Sequence, residues 1–160
     1  MCSRYSLTSP PEAVHQLFQC GGEAAFPPQY NIAPTDPVLI VRNAEGRIAA
    51  GERRSLVLVR WGLIPSWVKD PRTFAMLINA RAETAAEKPS FRGALRHRRC
   101  LIPTDGYYEW TGVRDAKQPY LIRPKGGGLF GLAGLWEHWL GADGSELETM
   151  AILTTVASQD

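Results

Sequence analysis

Short apolar runs, broken at close intervals by glycine and proline, constrain this chain most. Val38–Val41, Ser55–Trp61, Met76–Asn79, Cys100–Pro103, Gly106–Trp110, Pro119–Arg123, Leu129–Leu135 and Leu147–Thr155 each have the length of a strand. Turn signals fall at Asn43–Gly46, Gly126-Gly127-Gly128 and Asp143-Gly144. Helix fits in two places. Ser9-Pro10-Pro11-Glu12 reads as a capping box that opens a helix through Phe18, which Gly21-Gly22 stop. A second helical stretch fits between Ala82 and Arg96, broken or bent near Pro89, and Phe26-Pro27-Pro28 begin an irregular segment. With 15 Gly and 12 Pro, the pattern predicts an α+β domain that is mainly β, a barrel-like folded sheet with a few short helices. No repeat, low-complexity segment or boundary divides residues 1–160, which read as a single domain.

Composition removes several classes of function. A chain of 160 residues with 44% hydrophobic content can bury a real core. Its first residues carry no signal pattern and no apolar run is long enough to span a bilayer, so the expectation is a cytoplasmic protein with no membrane partner. Cys2, Cys20 and Cys100 form no C-x-x-C pair and are odd in number, which suggests neither a metal site nor a disulfide framework, and no cofactor is implied. A net charge of +2 does not announce a nucleic-acid partner. Its distribution is less neutral, because Arg81, Lys88, Arg92, Arg96, Arg98 and Arg99 face only Glu83 and Glu87. Such a run is either a solvated face or one wall of a groove that tracks phosphates.

Cys2 is the residue with the most distinctive chemistry. A small second residue favours removal of Met1, which would leave an α-amine and a thiol on adjacent carbons. The amine titrates near ~7.7–8.0 and the thiol near ~8.5, so both are partly available at neutral pH. A 1,2-aminothiol condenses with an aldehyde, the amine giving an imine and the thiol closing a thiazolidine. If Met1 stays attached, the Cys2 nitrogen is an amide and the ring cannot form. The competing reading is an incidental cysteine on a frayed terminus.

Three interior segments carry further polar chemistry. In Ile78-Asn79-Ala80-Arg81-Ala82-Glu83, alternation puts Asn79 and Arg81 on one side of an extended chain. An amide there can orient a nucleophile and a guanidinium suits phosphate, or the two are a turn residue and a surface charge. In Asp105-Gly106-Tyr107-Tyr108-Glu109-Trp110, Glu109 between aromatics is a candidate proton shuttle, or a carboxylate on the solvent face of an edge strand. In Trp61-Gly62-Leu63-Ile64-Pro65-Ser66-Trp67, Trp61 reads as core and Trp67 as a platform for unpaired bases.

Taken in order, Cys2 with Arg4, Asn31-Ile32-Ala33-Pro34-Thr35, Trp61–Trp67, Asn79–Glu83, Asp105–Trp110 and the Ile152-Leu153-Thr154-Thr155 strand resemble the SOS-response-associated peptidase family over essentially the whole chain. The resemblance implies a DNA-damage protein that binds single-stranded DNA and links covalently to abasic sites. By that carry-over, the Cys2 amine attacks the opened sugar aldehyde and the Cys2 thiol closes the ring, shielding the lesion. Asn79 positions the N-terminus, Glu109 exchanges protons, Arg4 and Arg81 hold phosphates, and the loops of Asn31, Pro34, Thr35 and Trp67 shape the cleft. Weak abasic-site lyase activity and self-processing as a peptidase are corollaries. The other readings are an N-terminal-nucleophile cysteine hydrolase and a non-catalytic single-strand-binding module.

One departure bears on activity. Members carry a histidine in a His-x-Arg-Met-Pro-like segment beyond the strand matching Ile152–Thr155, and this sequence stops at Asp160. None of His15, His97 or His138 stands in a matching context, so the role is transferred to none of them. The expectation is a chain impaired in sugar ring opening, with exposed apolar surface and an unpaired strand edge.

Overall fold

The computed structural model describes residues 1–44 and 53–157. Ten strands and two helices follow in the order β1 Tyr5–Leu7, α1 Pro11–Phe18, β2 Gln29–Ile32, β3 Pro37–Asn43, β4 Arg54–Trp61, β5 Asn79–Arg81, α2 Arg92–His97, β6 Arg99–Thr104, β7 Gly106–Thr111, β8 Gln118–Ile122, β9 Phe130–Leu140 and β10 Glu146–Thr154. The mainly β, barrel-like domain expected from the apolar runs is the fold found.

Two sheets carry these strands. One has the order β2-β1-β7-β8; the other runs β4-β3-β6-β9-β10-β5, and a further pairing of β4 with β10 closes it on itself. Closure depends on how β10 divides one of its edges. Its other edge pairs antiparallel with β9 from Glu146↔Leu140 to Ile152↔Gly134. On the divided edge, Thr149 and Met150 pair parallel with Arg60 and Trp61 of β4, and Ile152–Thr154 then pair parallel with Asn79–Arg81 of β5. Gly62 makes this exchange of partners feasible. It leaves β4 at φ +133, donates its N–H to the Met150 carbonyl at 2.9 Å, and a Cβ there would meet the Met76 side chain at 2.8 Å.

Register puts Val38, Ile40, Val59, Trp61, Trp136, Met150 and Ile152 on the enclosed face, and all seven are buried. The helix α1 closes one side, with Val14 and Phe18 four residues apart on one face and buried in the same cluster.

Several local expectations are corrected. The capping box is not formed: Pro10 is the N-cap of α1 and makes no side-chain cap bond. Ser9 is instead recruited across the sequence by Asp105, whose carboxylate also accepts from the backbone N–H and hydroxyl of Thr8 and the N–H of Ser9. The stretch from Ala82 is a series of turns, and helix appears only at Arg92–His97, beyond the proline. The run at Met76–Asn79 is displaced: strand begins at Asn79, and Leu77 contributes an isolated bridge to Leu63. Strands β1 and β2 carried too few residues to be read as runs. The turn at Asn43–Gly46 runs into residues outside those described.

Desolvation raises the pKa of Asp105, yet its hydrogen bonds from Ser9 and Thr8 outweigh that and hold it below the usual carboxylate value. A folded pKa below the unfolded value of about 3.9 gives a contribution that is whole above that pH and is lost as pH falls through the folded value. Asp105→Asn should therefore cost about 1–2 kcal/mol at neutral pH, with a smaller difference from the parent on acidification. Urea midpoints measured from neutral to acidic pH check this.

Candidate functional site

The N-terminal segment enters the fold with its chemistry half hidden. Cys2 is 6% exposed and its Sγ lies 3.7 Å from the Arg4 carbonyl oxygen. Burial pushes the thiol up to about 11, the Glu109 carboxylate adds to the rise, and the Arg4 hydrogen bond and the terminal ammonium oppose it. The Met1 ammonium is exposed and lies 3.6 Å from Glu109 Oε1. Beside Cys2, an open depression of about 480 Å³ is lined by Met1, Ser3, Arg4, Glu109, Trp110 and Lys117.

Glu109 lies on β7, which sits between β1 and β8 in the sheet, although the β1 pairing ends at Tyr107 and only β8 is paired alongside Glu109. It stands opposite Tyr120 in the register, and its side chain is 35% exposed. Arg4 is fixed locally by Nη1 donating to the Ser3 carbonyl at 2.8 Å.

Asn79 arrives from the barrel side. Its pairing with Ile152 puts it on the same face as Ile152, Met150 and Trp61, the cluster in which Cys2 is also buried. Both polar atoms of its amide are buried and have no hydrogen-bond partner. A buried unpaired amide costs about 1–3 kcal/mol, so Asn79 carries unused hydrogen-bonding capacity into the interior. Arg81, two residues on along β5, is exposed, with buried Ala80 between them.

The loop between β2 and β3 is fastened to Trp61. The Thr35 N–H donates to the Trp61 carbonyl at 2.9 Å and the Trp61 N–H to the Asp36 carbonyl at 3.1 Å, while Asp36 Oδ2 accepts from the Ala33 N–H. Thr35 is held at φ 79, a strained conformation for a β-branched residue. Asn31 is exposed on β2 and Pro34 is partly buried. Thr35 borders a different depression, with His138, Arg60 and Glu148. Trp67, 57% exposed and edge-on to Phe74, borders a third with Ser90, Arg92 and Arg98. The site residues expected from sequence therefore divide: Arg4 and Glu109 line the cleft beside Cys2, Asn79 lies on the sheet face of Met150 and Ile152, and Thr35 and Trp67 lie on separate surfaces. None of His15, His97 or His138 lines the Cys2 cleft. Ser3 and Lys117 escaped the sequence reading, because the N-terminal segment's bond to β7 (Tyr108 N–H to the Arg4 carbonyl) and the β7–β8 pairing, both long-range, bring them beside Glu109.

No group of three or more His, Cys, Asp or Glu able to hold a metal occurs among the described residues, and no helix there is long and apolar enough to cross a membrane.

The family profile described as SOS response associated peptidase (SRAP) matches residues 1–160. This chain belongs to the SRAP family. Among curated SRAP relatives it is 41% identical over 159 residues to the abasic site processing protein YoqW of Bacillus subtilis (strain 168), covering 97% of this chain and 68% of that protein. It is 34% identical over 163 residues to the abasic site processing protein HMCES of Gallus gallus, covering 86% of this chain and 48% of that one. A solved structure of a protein from Bacteroides thetaiotaomicron superposes with a TM-score of 0.82 at 30% identity, covering 96% of this chain and 68% of that one.

Two outcomes follow from this SRAP site. A thiolate-absorbance titration of the Met1-bearing chain, taken as the difference from Cys2→Ser, should give a Cys2 value near 11. The value should fall in the Met1-free chain, whose new ammonium sits on the cysteine itself; equal values in both forms contradict the account. Asn79→Leu, which removes the unsatisfied amide at similar volume, should unfold at a urea midpoint no lower than that of the parent.

Proposed function

We propose that this chain recognises abasic sites in single-stranded DNA and joins them covalently through Cys2 once Met1 is removed. The observation that carries the reading is the union of a buried Cys2 with the Glu109 carboxylate at a chain terminus, where the Met1 amine, one residue ahead of the one Cys2 would present, lies 3.6 Å from Glu109 Oε1. The names of the relatives, abasic site processing proteins, agree with it.

In the proposed reaction the Cys2 α-amine adds to the C1′ aldehyde of the opened sugar, and loss of one water gives an imine. The Cys2 sulfur then adds to the imine carbon and its proton ends on nitrogen, closing the thiazolidine. Glu109 takes the proton from the ammonium and returns one to the departing oxygen. With Met1 attached the thiol is pushed up to about 11, mainly by burial, and a buried thiol is a poor free nucleophile, which weighs against a hydrolase that attacks with a thiolate. The same thiol suffices for ring closure, because an imine formed on its own residue presents the carbon at very high effective concentration.

The orphaned Asn79 amide is available to hydrogen-bond the amine or the sugar oxygen, so it acts as the positioning group. Arg4 and the exposed Arg81 hold flanking phosphates, and the Asn31, Pro34, Thr35 and Trp67 surfaces take the strand further out. A ring resists elimination, whereas an imine that fails to close opens a route to strand cleavage, hence weak lyase activity.

The test is denaturing electrophoresis of Met1-free protein mixed with a single-stranded oligonucleotide bearing one abasic site. A heat-stable adduct should form, vanish in Cys2→Ser, and form roughly 10²-fold more slowly in Glu109→Gln, the size of one general acid–base contribution. Asn79→Leu should slow it while keeping its stability. Absence of an adduct from folded, Met1-free protein would overturn the reading.

A further inference from the structure

Lys117 stands in the Cys2 cleft by construction of the chain rather than by chance of a long side chain. It ends the connection between β7 and β8, directly before Gln118, which pairs with Thr111. That connection is tight. Gly112 adopts φ +104, a Cβ on it would overlap the Ala116 carbonyl oxygen, and the Ala116 N–H closes on the Val113 carbonyl at 2.9 Å. The lysine backbone is thereby fixed at the rim of the depression that Glu109, Trp110, Arg4 and Met1 line.

The charges around that depression do not balance. The terminal ammonium, Arg4 and Lys117 face Glu109 as the one carboxylate of the lining, and Glu109 already lies against the ammonium. Lys117 itself makes no hydrogen bond or ion pair among the described residues. Removing Met1 leaves the count unchanged, since the new amine on Cys2 is also a cation. An exposed cleft with a surplus of positive charge, walled by an aromatic ring, favours an anion beside a planar or sugar-like group.

We propose that Lys117 is a phosphate-binding residue of this cleft, gripping the DNA strand next to the sugar that reacts with Cys2. It rests on the DNA reading above and adds the residue that registers the strand over Glu109. An ammonium on a four-carbon stem makes a point contact with phosphate and carries no base preference, so its effect is uniform across sequences.

The experiment is equilibrium binding of an undamaged single-stranded oligonucleotide across a series of chloride concentrations, for the parent, Lys117→Gln, Lys117→Arg and Arg81→Ala. Lys117→Gln should lower the slope of log Kobs against log salt by about 0.7, the value of one phosphate contact on a single strand. Lys117→Arg should retain the parent slope, and both variants should keep the parent urea midpoint. An unchanged slope in Lys117→Gln while Arg81→Ala lowers it would overturn the assignment and leave the DNA reading intact. Absence of binding by the parent would overturn both. Lys117-dependent competition by inorganic phosphate, beyond that of chloride at equal ionic strength, would put a free anion there instead and overturn the strand assignment.

Discussion

Everything near the terminus of this molecule is hung on the indole and backbone of Trp61. The ring is fully buried, tilts against Tyr5 at a centroid distance of 5.4 Å, and donates from Nε1 to the Ile78 carbonyl at 3.0 Å. Its backbone N–H and carbonyl fasten the Asn31–Asp36 loop. One residue thus fixes the N-terminal strand, the loop that ends in strained Thr35, and the backbone immediately before Asn79. Burying so large a side chain contributes about 2–3 kcal/mol, and the bond to the Ile78 carbonyl, which also accepts from the Ile152 N–H at 3.0 Å, ties the indole to the segment that carries Asn79 and Arg81.

Around that anchor the structure tolerates two unfavourable features, and both lie on segments tied to it. Asn79 keeps a buried amide without partners, and Thr35 keeps a positive φ. Neither helps folding, so each asks for a reason outside stability. Cys2 and Glu109 form a third tension. The carboxylate that holds the terminal amine also pushes the neighbouring thiol toward its protonated form. An enzyme needing a free thiolate would gain from separating them. Chemistry that starts at the amine and finishes at the thiol has use for both.

How much of this was legible in the residues follows from the range of the interactions. The barrel-like fold was readable because strand runs, turn glycines and buried alternation are local signals. Trp61 as core rested on the usual fate of a large apolar side chain, and it is fully buried. Shortness hid β1 and β2, and the proline confined helix to Arg92–His97; the failures that bear on the site are long-range. Ser9 looked like a helix cap until Asp105, far along the chain, claimed its hydroxyl. Strand β5 started later than its apolar run because its partner is β10, which decides where the ladder begins. Lys117 was invisible as a site residue because its place beside Glu109 exists only once the hairpin closes, and the one local hint was the glycine at 112. The separation of Trp67 and Thr35 from the Cys2 cleft is likewise a matter of tertiary arrangement that spacing does not encode.

The central claim is that nitrogen and sulfur of one cysteine join the same carbon of the abasic sugar. The most direct measurement is a carbon NMR spectrum of the product formed between Met1-free protein and a single-stranded oligonucleotide labelled with carbon-13 at C1′ of the abasic site. The account predicts a single saturated carbon resonance in the range of a carbon bonded to both nitrogen and sulfur, unchanged by borohydride. An unsaturated imine carbon that borohydride reduces, or a carbon that remains the free hemiacetal, would contradict it.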